Sequence, residues 1–158
     1  MIDPKTIMYE EGRRAALDLA SRAKDMDGTS IIAEEDHIPA WSSKTDFTNL
    51  PINTPVRDED QVWLLLIPHN AAYYPGRPST LRSLWGLAHT KDPAKAKPWV
   101  APYGVSGLYM LDECCTYAAK DGTEHVWRNK HNNNEFPPMT LNVEDRWEDL
   151  GKVSVWQF

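Results

Sequence analysis

Cysteine is nearly absent: the 158-residue chain has two, Cys114 and Cys115, side by side. That count excludes a disulfide framework, and a vicinal disulfide would be strained. Successive side chains on a strand point to opposite faces, so the pair is poorly placed to share one metal ion. Both are expected reduced, one of them in a small core. Long hydrophobic runs are also missing. No apolar stretch reaches the roughly 18 residues that a membrane span requires, and the opening MIDPKTIMYEEGRR mixes acids and bases where a signal peptide would carry an apolar core. Neither membrane insertion nor secretion by the general route is expected. An excess of basic charge is lacking as well: 17 Lys+Arg face 23 Asp+Glu, a formal net charge of −6. Affinity for a phosphate backbone needs a basic face, so no nucleic-acid partner is expected. Nor does the chain contain a phosphate loop, a dinucleotide fingerprint or a Gly-Xaa-Ser-Xaa-Gly elbow.

Against three Phe stand seven Trp, six Tyr and twelve Pro, a composition suited to small cores built from rings or to rings displayed to a ligand. Asp3 to about Met26 reads as a helix. Asp3 is a cap, Pro4 suits the first helical position, and Ile7, Met8, Ala15, Ala16, Leu19, Ala20, Ala23 and Met26 recur at spacings of three and four until Asp27-Gly28 stops it. Its apolar face is narrow and alanine-rich, suited to close packing against copies of itself or against another helix. Ser30 to Ile38 reads as a short connector. From Pro39 onward prolines break every segment, which predicts strands and loops: Gln61 to Ile67, His125 to Asn129, Gly107 to Met110 and Glu113 to Tyr117. The fold class is therefore mainly β with an N-terminal α-helix.

The tryptophans expose an internal repeat. Trp41, Trp63 and Trp85 recur as Trp99, Trp127 and Trp147. In each copy an opening Trp follows a Pro (Pro39; Pro98), then come an aromatic (Phe47; Tyr109), a Val-Trp pair, a polar pair (His69-Asn70; Asn133-Asn134), proline and the closing Trp. These six tryptophans are assigned as structural pins, since Trp is highly buried on average. His125 and His131 flank Trp127 with no third ligand at convincing spacing, so no metal and no cofactor are assigned. Glu34, Glu35, Asp36, Glu144, Asp145, Glu148 and Asp149 are the carboxylates a glycosidase would need in pairs. They sit on polar stretches of a scaffold too fragmented for a deep cleft, and no catalytic residue is assigned.

The order Trp, aromatic, Val-Trp, His-Asn or Asn-Asn, Pro, closing Trp resembles the small chitin-binding-type modules of carbohydrate-binding families 5 and 12. A helix followed by Ile38-Pro39-Ala40-Trp41 and such a module resembles the small virion proteins that tailed bacteriophages encode near their tail genes. The resemblance implies two tandem three-stranded β modules, and it makes His69, at the position where the family has a His or Asn, a hydrogen-bonder tying its loop to the sheet. The chain then divides into an assembly helix and connector (1–38), a first module (39–88), a linker (89–98), a second module (99–151) and a tail (152–158). It also implies a non-enzymatic virion protein, made in the host cytoplasm: a tail fibre, baseplate or head-decoration component. Its partners would be other virion proteins and a glycan of the bacterial surface, and the threefold symmetry usual for phage fibres makes the helix the core of a homotrimer. Indole and phenol rings stack on the C–H face of a pyranose without any charge. With the Val-Trp strands facing inward, the remaining rings are Tyr73 and Tyr74, helped by Asn70, and Phe136 beside Asn132, Asn133 and Asn134. The tyrosines read equally as a Tyr–Pro lid over the module, and the asparagines first as turn formers. Two other functions are weighed: a connector between virion proteins with no sugar binding, and the detached accessory module of a glycan-processing enzyme.

Overall fold

The structure is a computed structural model that describes residues 3–140 and 143–157. The chain divides into two compact units, Met1–Gly86 and Leu87–Phe158. It is mainly β, with an N-terminal helix and two sheets of three and four strands. Among the described residues no helix is long and apolar enough to cross a membrane.

In the first unit, helix α1 (Pro4–Arg22) begins at Asp3, whose carbonyl accepts the N–H groups of Thr6 and Ile7. Its α-helical turns stop earlier than the apolar periodicity suggests, passing into a single 3-10 turn at Ala23–Asp25. Helical structure ends at Asp25, with Met26 extended ahead of Asp27, and Asp27 in turn starts the next segment. Its carboxylate accepts from the Ser30 N–H at 2.8 Å and caps a second helix, α2 (Gly28–Ala33), which buries Ile31 and Ile32. The predicted connector is therefore largely helical, because a capping Asp ahead of two core isoleucines starts a helix as readily as a Gly ends one. The C-terminal half of α1 buries Leu19 and Ala20, and the 3-10 turn after it buries Ala23, while Ile7, Met8 and Tyr9 in the first half of α1 are exposed. Arg22 links the two helical segments by pairing with Asp18 and with Glu34, both at 2.9 Å. That guanidinium holds the Glu34 carboxyl below its usual range.

Strands β1 (Pro55–Asp58) and β2 (Gln61–Leu65) form an antiparallel hairpin with Val56 opposite Trp63, and β3 (Trp85–Leu87) lies on the far side of β2. Glu59 and Asp60 both have positive φ, the two-residue turn whose twist matches the flanking strands. Val62, Trp63, Leu65 and Trp85 are buried, together with Phe47.

In the second unit β4 (Lys97–Pro98) runs parallel to β5 (Cys114–Ala118), which pairs antiparallel with β6 (Glu124–Asn129). A helical turn, α3 (Val143–Arg146), leads into β7 (Trp147–Lys152) on the other side of β6, and α4 (Val153–Trp156) closes the chain. Of the predicted strands, Gly107 to Met110 is instead a loop, with an isolated Tyr109–Asn134 bridge and the Tyr109 ring packed on Cys115, Trp127 and Trp147. The predicted linker is no linker. His89 and Thr90 are buried, the His89 ring stacks on Tyr109 at 3.7 Å, and Lys97-Pro98 is a strand. A parallel partner and a stacked ring lie far along the chain, which local composition cannot report. The tail is likewise built in: Val153 and Trp156 pack with Leu150 against Ala96, Cys114 and Val126.

The same internal bonds recur in the two units. Trp63 Nε1–H donates to the Asp58 carbonyl at 3.2 Å, and Trp127 Nε1–H donates to that of Tyr117 at 3.1 Å. The Trp41 amide donates to Arg57 O at 2.8 Å, and that of Trp99 to Thr116 O at 3.0 Å. Asn53 and Asp112 both sit at φ 72°, and their amides donate to Leu65 O and Asn129 O at 2.7 and 2.8 Å. Phe47 stands edge-on to Trp85 at 5.0 Å, as Tyr109 does to Trp147 at 5.3 Å. Trp63, Trp85, Trp127 and Trp147 are buried, whereas Trp41 and Trp99 are only half-buried.

Cys114 and Cys115 are both buried and unbonded to each other. Alternation along β5 sends them into different clusters, Cys115 with Tyr109, Trp127 and Trp147, and Cys114 with Ala96 and Val126. Burial pushes the Cys114 thiol up to about 11 and holds that of Cys115 well above its ordinary value. The thiolate is the nucleophile, so both are inert at neutral pH. Iodoacetamide at pH 7.5 should leave the native protein unmodified over hours and label both residues within minutes in denaturant, as read by intact mass.

Candidate ligand-binding loops

Each unit carries one irregular loop between its middle and closing strands, and the candidate ligand residues lie on these two loops. In the first unit Asn70 organises the turn. Its side-chain oxygen accepts from the Ala72 N–H at 3.0 Å, and its carbonyl accepts from the Tyr73 and Tyr74 amides at 3.0 and 3.2 Å. This self-closed turn leaves the two rings outside the core, Tyr73 79% and Tyr74 55% exposed. Tyr73 stands free to present a face. Tyr74 touches the core edge-on through His69, at 6.1 Å between ring centres. His69 is the loop tie that the sequence suggests: its Nδ1 lies 2.8 Å from the Ile67 carbonyl, and the ring sits between Phe47 and Trp85. Asn70 spends its oxygen on the turn and keeps only its amide hydrogens for a ligand.

In the second unit the three asparagines separate by role. Asn134 is only 4% exposed. Its oxygen accepts from the Phe136 N–H at 3.0 Å, and its amide donates to Asn129 at 2.8 Å. It belongs to the frame of the loop, and burial removes it from the surface set proposed from sequence. Asn132 is exposed but accepts from the Leu111 N–H at 2.9 Å. Asn133 is exposed at φ 57°, a left-handed position that Asn tolerates. Phe136 is exposed on one side only, because the Arg146 guanidinium lies 4.3 Å from its ring centre. A cation over the face competes with a sugar for the same quadrupole.

Several residues that sequence reading passed over shape these surfaces. Arg82 lies over Trp63 at 5.3 Å. Tyr103 and Val105 are exposed on a tight turn closed by two Tyr103–Ser106 backbone bonds, with Gly104 at positive φ. Pro-Tyr-Gly-Val was the only signal for it. Asn129, fully buried, holds the second loop from beneath.

One polar relay lies outside the loops. The His125 Nδ1 is 2.8 Å from Asp149, its Nε2 is 3.1 Å from Thr123 Oγ1, and that hydroxyl is 2.6 Å from Asp121. The Thr123 proton goes to Asp121, and the hydroxyl and N–H of Thr123 hold that carboxyl below its usual range. The relay ties the β5–β6 turn to β7. Among the described residues no three His, Cys, Asp or Glu side chains are grouped to hold a metal ion.

Comparison with family models, with curated proteins and with solved structures returned no match for the chain.

Proposed function

We propose that the chain is a non-enzymatic structural protein of a bacteriophage virion, a fibre, baseplate or capsid-decoration component. In this reading its two β units are tandem modules of the carbohydrate-binding 5/12 type that engage glycans of the bacterial surface. The observation that carries the reading is the paired tyrosine loop of the first unit, where Tyr73 and Tyr74 stand exposed beside proline on a turn that closes on its own asparagine. Large exposed rings are unfavourable surface features unless they meet a ligand. The recurring Trp-pinned frame supports the tandem-module part of the reading, since the residues of the resemblance make equivalent bonds in both units. The uncovered Ile7, Met8 and Tyr9 of α1 support assembly into a homotrimer through that helix. Ring stacking contributes ~1 kcal/mol per contact, so multivalent display is what makes such a site useful.

A second reading, a connector between virion proteins without sugar binding, is favoured by the cation over Phe136 and the burial of Asn134 in the other loop. A glycan array of bacterial cell-wall and capsular oligosaccharides, probed with the full-length assembly, separates the two. Binding that is lost in a folded Tyr73→Ala/Tyr74→Ala/Phe136→Ala variant supports the glycan reading. The absence of any glycan signal from the wild type favours the connector.

A further inference from the structure

The first unit holds a cavity of about 130 Å³ between the second half of α1 and the stretch that runs from Thr45 to Val56. The buried Ala20, Phe47 and Val56 line its floor, and the exposed Leu17, Pro39 and Ala40 stand at its mouth. A dry apolar cavity of roughly 150 Å³ takes up a benzene molecule, so this one has room for a single aliphatic side chain. Its rim is basic. Arg13 precedes Ala16 and Leu17 by one helical turn, Lys24 follows Ala20 by one turn, and Lys44 adjoins Thr45 on the opposite wall; all three are exposed. The acid on that wall, Asp46, is engaged with Thr48, whose N–H donates to it at 2.9 Å.

The complement of this cavity is the other half of the same helix. Ile7, Met8 and Tyr9 are exposed, Met8 to 72%, and two acids, Glu10 and Glu11, follow them directly. Met8 is the side chain that fits. It is unbranched, adaptable and smaller than benzene, whereas Tyr9 is larger. Its own cavity is out of reach, because α1 is one unbroken helix and Met8 stands just over two turns, about 12 Å, ahead of Ala16. We propose that α1 of one copy docks on the next copy, seating Met8 in the cavity and setting Glu10 and Glu11 against the rim of Arg13, Lys24 and Lys44. The chain carries a formal net charge of −6, so copies repel one another except where an acidic pair meets a basic rim. That match selects which end of α1 enters. Donor and acceptor are different patches of one surface, a heterologous contact that closes as a ring of three. The inference rests on the homotrimer reading above and supplies the contact that builds it.

The test uses the full-length chain, sized by light scattering over a range of concentrations, and a variant carrying both Met8→Cys and Ala40→Cys. Both positions are exposed, and the native Cys114 and Cys115 are buried and do not compete. The wild type should be a trimer. Mild oxidation should link the double variant into covalent dimers and trimers and no further, and should leave each single variant unlinked. Met8→Asp should raise the concentration needed for assembly about a hundredfold, because a carboxylate is not accepted in an apolar cavity, and Met8→Leu, of similar volume, should assemble like wild type. Neither change touches the core of the single chain, where Met8 is exposed. A trimer whose double variant stays unlinked, and that assembles as well with Met8→Asp, overturns the docking and leaves the trimer standing. Links that stop at dimers or run on into longer chains overturn the ring of three. A monomer at every concentration overturns the docking and the trimer together and leaves the cavity to a different protein.

Discussion

Replacing Trp147 by Ala should lower stability by about 3–5 kcal/mol, and replacing Trp85 should do the same. Both side chains are wholly enclosed at the start of a closing strand. Each is the ring against which a second aromatic stands edge-on, Phe47 at 5.0 Å and Tyr109 at 5.3 Å. Removing an indole from a core this small forfeits the transfer free energy and leaves a cavity that short strands cannot close. Trp147→Ala also leaves the Phe136 carbonyl without its donor. Urea unfolding followed by tryptophan fluorescence gives the loss. Amide exchange locates it, in β5–β7 for Trp147 and β1–β3 for Trp85. A cost below about 1 kcal/mol at either position would mean that the pin does not hold its sheet. Trp41 and Trp99, only half-buried, should cost less than either.

Asn129→Ala is the second large effect, about 3 kcal/mol or more. The side chain is fully buried at the end of β6 and bonds in both directions. Its amide donates to the Met110 carbonyl at 2.8 Å and to that of His131, and its oxygen accepts from Asn134 at 2.8 Å and from the His131 N–H at 3.3 Å. Alanine leaves the buried Asn134 amide without its acceptor, costing about 1–3 kcal/mol, opens a cavity at the end of β6, and takes from the Met110 carbonyl one of its two donors, the other being the Glu113 N–H at 3.1 Å. A network loses more than the sum of its pairs when its hub goes. Denaturant midpoints give the magnitude, and faster exchange of the Leu111 and Phe136 amides would show that the second loop has lost its frame. Asn134→Ala, which removes one spoke, should cost less; equal costs would contradict the hub role.

These two predictions rest on residues that differed in legibility from sequence. The pins were legible because the Trp order repeats, and because a Val-Trp pair in a short apolar run between turn residues has few alternatives to a strand. Tyr73 and Tyr74 were legible as surface rings because Asn before and Pro-Gly after mark a turn. Asn129 carried no signal, since nothing local separates an asparagine closing a buried network from one ending a strand at the surface. His89 reads as linker because Lys, Asp and Pro follow it; its partner Tyr109 is distant in sequence. Arg146 over Phe136 is the same case, a pairing across a loop that residue spacing does not encode. Asp27 shows a different limit, because capping residues start and stop helices with similar chemistry, and the Ile31-Ile32 core contact decided which.

Glycan engagement through the displayed rings of the first loop is the central claim, and hydroxyl-radical footprinting of Tyr73 and Tyr74 tests it most directly. The full-length protein is oxidised alone and with saturating glycan, using the N-acetylglucosamine hexamer and bacterial cell-wall fragments, and the two tyrosines are quantified by mass spectrometry against Tyr103, which is also exposed but lies on another loop. The account predicts fast oxidation of Tyr73 and Tyr74 in the free protein and clear protection of both by a glycan, with Tyr103 unchanged. Equal oxidation of Tyr73 and Tyr74 with and without every glycan, together with protection once the chain is assembled with another virion protein, would contradict it and make the loop a connector surface.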